Sequence, residues 1–202
     1  MNHTRFSAIA LLLLFAFSVF AQVYLPHRRA AFRGIAAGGA CTAAGYADNP
    51  ATSGNQNFGD ASHKVYIAAL FTAGATETIC RIDVPIYKLG SPTFNIQAGI
   101  YSHDSMNNSP NALIGSASAT VSATTLGTSD PGTLVQFTGL SASLALGTTY
   151  WVALWVSGVG DASNYVIWSY GGAADSSFSL DSDGAGVWGG FGTRHLRFAF
   201  FK

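Results

Sequence analysis

The sequence predicts an all-β protein, a sandwich or barrel of antiparallel strands. Three observations carry that expectation. From residue 64 onward, short β-branched and aromatic runs recur at a spacing of about 10 residues, separated by Gly, Pro, Asn, Asp and Ser. No stretch beyond the N-terminus sustains an apolar stripe of helical period. Charged residues make up only 10% of the chain, against roughly 25% in ordinary soluble domains, so polarity comes from hydroxyls and backbone.

The elements follow in chain order. Residues 1–21 form a signal peptide: Arg5 precedes the apolar run 8–21, and Val19-Phe20-Ala21 ends it with the small-x-small pattern of a cleavage site before Gln22. The run falls short of the roughly 20 residues of a membrane span, and Arg28, Arg29 and Arg33 follow it, so no stable span is expected after cleavage. Residues 22–57, rich in Ala, Gly and Asn, are expected to be an extended arm or lead-in, with a candidate processing site at Arg28-Arg29. Residues 58–202 are assigned to the β-domain. Cys41 and Cys80 lie in the exported part and are expected to form one disulfide. That bond closes a loop of about 40 residues and contributes roughly 3–4 kcal/mol on the chain-entropy model.

Strands are expected over 64–71, 78–88, 93–102, 113–123, 133–138, 149–157, 164–170 and 194–201. In 78–88, Cys80, Ile82, Val84 and Ile86 alternate with Arg81, Asp83 and Tyr87, which assigns the first set to a core. The run 149–157 is hydrophobic on both faces, so it belongs mid-sheet beneath other residues, and Trp151 and Trp155 are expected to be core.

Two segments carry a family resemblance. One is Tyr87-Lys88-Leu89-Gly90-Ser91-Pro92-Thr93-Phe94-Asn95-Ile96-Gln97-Ala98-Gly99-Ile100-Tyr101, and the other is Leu144-Ala145-Leu146-Gly147-Thr148-Thr149-Tyr150-Trp151-Val152-Ala153-Leu154. With Asp183-Gly184 and Trp188 they resemble the choice-of-anchor type β-sandwich modules of bacterial secreted and cell-surface proteins. The resemblance spans about 64–202 and implies a jelly-roll-like antiparallel β-sandwich with an accessory role. It departs from the pattern at the end, where the chain stops at Phe201-Lys202 without a separate sorting segment.

Composition narrows the function. With 10 basic and 10 acidic residues there is no cationic excess for phosphates, so no nucleic-acid partner is expected. From Gly34 onward six basic residues face all ten acids, so the domain is mildly acidic and its arm basic. No nucleophile elbow, zincin motif or phosphate loop occurs. Glu77 and nine aspartates offer no evident pair of opposed carboxylates, so the protein is not expected to be an enzyme.

Glycan binding is the expected function, because sugar sites set aromatic faces beside hydroxyl-bonding polar groups. The candidate residues are Trp188, in the Gly-rich stretch 184–192, together with Trp168, Tyr170 and Asp181. No cofactor is expected. Structural calcium has candidates in Asp181 and Asp183 before Gly184, and in Asp104 of the polar loop 103–110. The plainer reading of 179–188 is a turn at Asp183-Gly184 between two short strands. The partner is then a glycan or another cell-surface or matrix polymer, at an extracellular or cell-surface location. The alternative is a self-assembling subunit of an extracellular filament or surface layer, whose residues 22–25 add a strand to a neighbouring copy.

Overall fold

A computed structural model describes residues 41–48, 52–60, 65–130, 132–171, 179–182, 184, 187–190 and 195–202; the side chains of 43–48, 52–53, 179–181 and 195 are outside that description. The signal peptide and residues 22–40 of the arm also lie outside it. The compact unit that holds the described residues starts at Cys41.

Among the described residues fourteen strands follow one another: β1 (Ala43–Asp48), β2 (Thr52–Phe58), β3 (Tyr66–Thr72), β4 (Glu77–Leu89), β5 (Asn95–Asp104), β6 (Ser109–Leu113), β7 (Val121–Ser122), β8 (Thr133–Leu144), β9 (Thr149–Val156), β10 (Tyr165–Gly171), β11 (Ser179–Ser182), β12 (Trp188–Gly190), β13 (His195–Leu196) and β14 (Phe198–Phe201). The one helical piece among the described residues is a 3₁₀ turn at Ala123–Thr125. All pairings are antiparallel and build two seven-stranded sheets. The first runs β1-β14-β4-β10-β13, with β2 on β10 and β8 on β4; the second runs β12-β11-β3-β9-β5-β6, with β7 on β5. The expected β-sandwich is present.

Alternation explains how the sheets face each other. Ile67, Ala69 and Phe71 of β3, Ile96, Ala98 and Ile100 of β5, and Tyr150, Val152, Leu154 and Val156 of β9 all enter one core. They meet Ile82, Val84 and Ile86 of β4, Phe137 of β8, Val166 and Trp168 of β10, and Phe198 and Phe200 of β14. Gly90 ends β4 at φ +65°, and a Cβ there would lie 2.2 Å from the carbonyl oxygen of Ser163, so this turn requires glycine.

β4 is the organising strand. One edge pairs with β8 along most of its length, while the other serves β14 at Arg81–Asp83 and β10 at Ile86–Leu89. Pro85 falls in the gap between those two partners, a place where a missing N–H is tolerated. A register shift between Ile79 and Arg81 changes the phase of alternation. Ile79 upstream and Ile82 downstream therefore both reach the core, and Cys80, expected on the core face, is half-buried beside them.

Two further expectations are corrected. The lead-in 22–57 includes strands of the sandwich itself: β1 pairs with β14, and β2 pairs with β10 over Thr52–Phe58. Their Ala-, Gly- and Asn-rich sequence has little β-propensity, and what orders it is pairing with strands more than a hundred residues away. This end of the domain is clasped. Cys41 and Cys80 form the expected disulfide, Thr42 and Lys202 exchange backbone hydrogen bonds of 2.7 Å in both directions, and Lys202 Nζ lies 3.0 Å from the Glu77 carboxylate. The strand expected over 113–123 is not continuous: β6 ends at Leu113 and β7 covers only Val121–Ser122. The stretch between them donates from Ser118 to the Ala98 carbonyl and from Ala119 to the Thr138 carbonyl, bridging the two sheets.

Candidate functional site

The four tryptophans divide between two environments. Trp168 of β10 points into the core of the sandwich with 0% exposure, and its indole N–H donates to the carbonyl of Arg197 at 2.7 Å. It presents no face to a ligand, which removes it as a sugar-stacking residue. Tyr170 lies on the same side of β10 and packs against that core. Its ring passes over Gly54, where a Cβ would come within 2.4 Å of it. Neither residue joins Trp188.

Trp151, Trp155 and Trp188 belong to the second sheet, on the face turned away from the inter-sheet core. Alternation along β9 puts Trp151, Ala153 and Trp155 there, opposite the inward set. β3 adds Tyr66, Ala68 and Leu70 to that face, and β5 adds Gly99, Tyr101 and His103. Trp151 is buried in a small second cluster with Ala68 and Ala153, and its N–H donates to Nδ1 of His103 at 3.0 Å. Trp155, expected to be core, is half-buried on the outer face. Its ring stacks on Tyr66 at 5.9 Å and meets Tyr101 edge-on at 6.1 Å.

Strand register then sets the next row. Trp155 pairs with Tyr66, Tyr66 with Ser182, and Ser182 with Trp188, so one line of residues crosses β9, β3, β11 and β12. Trp188 reaches Tyr66 with ring centroids 6.1 Å apart at 69°. β11 and β12 are two short paired strands, as in the plainer expectation, and Gly184 between them has φ +88°; Asp183 of the expected turn lies outside the described residues.

This corner encloses a surface pocket of about 200 Å³. Tyr66, Tyr101 and Trp188 supply aromatic walls, Asn111 and Ser182 supply polar groups, and Pro110 and Gly184 complete the lining. Ser182 is buried, and its hydroxyl oxygen accepts from the Gly184 N–H at 3.1 Å. Burial, with a smaller contribution from Tyr66 nearby, pushes the Tyr101 phenol up to about 12. It is therefore a neutral hydroxyl at any physiological pH.

The expected partner of Trp188 was Asp181. Asp181 pairs with Ile67 and Gly189, one residue out of the row that joins Ser182 to Trp188. Its side chain, and all of Asp183, lie outside the described residues. Asp104 sits at the end of β5, where its carboxylate accepts from the Met106 N–H at 2.9 Å and from the Asn107 side-chain amide at 2.8 Å. These bonds hold the Asp104 carboxyl below its ordinary range, the Asn107 side chain contributing most. The carboxylate is thus the acceptor of a tight polar turn. Among the described residues no group of three or more His, Cys, Asp or Glu side chains is placed to hold a metal ion.

Sequence reasoning reached Trp188 but missed Tyr66, Tyr101, Asn111 and Ser182. Part of the signal was present: Tyr101 is out of phase with Phe94, Ile96, Ala98 and Ile100, and the two-faced apolar pattern of β9 required an aromatic neighbourhood outside the sandwich. No family model, curated protein or solved structure matches the chain. Among the described residues no helix is long and apolar enough to cross a membrane.

Proposed function

We propose that this is a non-catalytic, exported β-sandwich of jelly-roll type that acts at the cell surface or in the extracellular matrix as a glycan-binding or adhesive module. One observation carries the proposal: an aromatic corner of Tyr66, Tyr101 and Trp188 encloses hydrogen-bonding groups of Asn111 and Ser182 in an open pocket. Aromatic faces take the C–H face of a sugar, and the polar groups take its hydroxyls. Export is supported by the leader pattern of 1–21 and by the disulfide, which persists in oxidising compartments. Kinship with choice-of-anchor modules belongs to the same proposal and rests on the segments 87–101 and 144–154. Binding uses no cofactor and proceeds in the presence of a chelator. A glycan array probed with the mature protein tests this, with Trp188→Ala as control. The wild type is expected to retain a defined set of glycans and the variant to lose them. An empty array, or equal retention by the variant, would defeat the proposal.

A second reading, a self-assembling subunit, is favoured by one feature of the topology. β1 ends the strand order of its sheet and has β14 as its single strand partner among the described residues. An added strand from the 22–25 segment of another copy would pair there. Size-exclusion chromatography and electron microscopy separate the readings: filaments or higher oligomers that vanish on deleting 22–25 support assembly, and a monomer with or without those residues defeats it.

A further inference from the structure

We propose that the pocket takes one uncharged pyranose ring, presented as the end of a glycan chain. This rests on the glycan-binding reading and specifies its ligand.

Size points to a single ring. A pocket of about 200 Å³ lies below the roughly 300–1,000 Å³ of sites for drug-sized ligands. Shape points to a chain end. The Trp188 and Tyr66 rings meet at 69°, forming a corner and not a flat platform along which a chain could lie. The corner has polar residues on both sides, Asn111 from β6 and Ser182 from β11. A terminal sugar can offer hydroxyls to both sides at once, while an internal one has two positions consumed by linkages.

Charge points to a neutral ligand. None of the described lining residues is Asp, Glu, Lys, Arg or His. A carboxylate entering beside three aromatic rings would lose hydration with no counter-charge among the described lining residues to offset it, and an ammonium would have only the ring faces in exchange for its hydration shell. Tyr101 does not supply one, since it holds its proton far above neutrality.

Hydrogen bonding points to a hydroxyl-rich ligand. The Ser182 oxygen accepts from Gly184, and its own proton has no acceptor among the described residues. The phenols of Tyr66 and Tyr101 and the side-chain amide of Asn111 bring further hydrogen-bonding groups to the same lining. These groups can each donate to or accept from a sugar hydroxyl. A quaternary ammonium, the other natural occupant of an aromatic corner, can do neither and would leave the buried Ser182 proton unmatched.

The test is calorimetric titration of the mature protein with methyl glycosides of glucose, galactose and mannose, with glucuronic acid and glucosamine as charged counterparts and choline as a competitor. One neutral glycoside is expected to bind with one-to-one stoichiometry, and its charged counterparts about tenfold or more weakly. Ser182→Ala and the exposed-site variant Asn111→Ala are each expected to lower affinity about five- to tenfold. Unchanged far-ultraviolet dichroism separates lost contacts from lost structure, and Asn111→Ala carries the test if Ser182→Ala fails to fold. Equal binding of an acidic or amino sugar overturns the proposal, as does preferential binding of choline. Retention of a polysaccharide that no monosaccharide displaces overturns the single-ring assignment while leaving glycan binding intact. Absence of binding to any carbohydrate overturns both.

Discussion

Trp168 and Trp188 are the same residue type on two sheets of one sandwich, and they have opposite roles. Trp168 lies on a central strand, faces the other sheet, is fully buried and spends its N–H on a backbone carbonyl. Trp188 lies on the edge strand β12, faces away from the other sheet and walls a pocket. Trp168 lies in an alternating apolar run and Trp188 in a Gly-rich stretch, but neither pattern says what covers the ring. What separates them is which side of the pleat faces the partner sheet, and whether a further strand follows. An aromatic side chain inside the core stabilises the fold; the same side chain on an edge offers its surface to something else.

Substitutions sharpen that contrast. Trp168→Ala removes a large core side chain and is expected to destabilise the fold by about 3–5 kcal/mol, seen as a lower denaturation midpoint. Trp188→Ala is expected to cost less, about 1 kcal/mol in the same measurement, because it is partly exposed on an edge strand and lies outside the inter-sheet core. Comparable losses for the two variants would break the comparison.

The disulfide comes next in size. Replacing both Cys41 and Cys80 with Ser releases the clasp on the first strand and is expected to lower stability by about 2–4 kcal/mol. Binding by the pocket should persist under conditions where the variant is folded, since the clasp joins β1 and β4 of the first sheet and the pocket is built on the second. Loss of binding by the folded double variant would show that the two regions are coupled.

Alkaline titration tests the pocket directly. Below pH 10 Tyr101 is protonated in the folded and the unfolded chain alike. Between 10 and about 12 only the unfolded chain releases the proton, so stability falls as pH rises through that window. A phenolate absorbance titration should show a late phase near pH 12 that Tyr101→Phe removes. If that variant leaves the titration curve unchanged, Tyr101 is not the late-titrating phenol.

The smallest effect is expected in the β5–β6 loop. Asp104 is held below its ordinary value of 3.8, so its contribution is present above that pH and is lost as pH falls. Because this carboxylate is exposed and serves its own turn, Asp104→Asn and the addition of EDTA should each leave the melting temperature and sugar affinity unchanged. A calcium-dependent rise in melting temperature that Asp104→Asn abolishes would restore the loop as a metal site.

Much of the sandwich was legible because alternation is a local pattern. The runs that became β3, β5, β9 and β10 have apolar or aromatic residues at every second position, and a half-buried strand imposes that period on its own sequence. β1 and β2 were not legible, since their order comes from β14 and β10 at the far end of the chain. Cys80 was placed on the wrong face because a single register shift, invisible in composition, reversed the alternation of β4 at Ile79.

The candidate site divides in the same way. Sequence alone determined that Trp188 sits outside any strand with an inward pattern, and that β9 needs cover on both faces. It determined the cysteine pair, the scarcity of ions and the all-β class, because each depends on residue type and short spacing. Only the tertiary structure decided that Tyr66, Tyr101, Asn111, Ser182 and Trp188, drawn from five strands, meet at one corner. It alone decided that Ser182, one residue along from the expected Asp181, stands beside the tryptophan. Cross-strand register makes neighbours of residues far apart in the chain, and a shift of one position exchanges the two faces of a sheet.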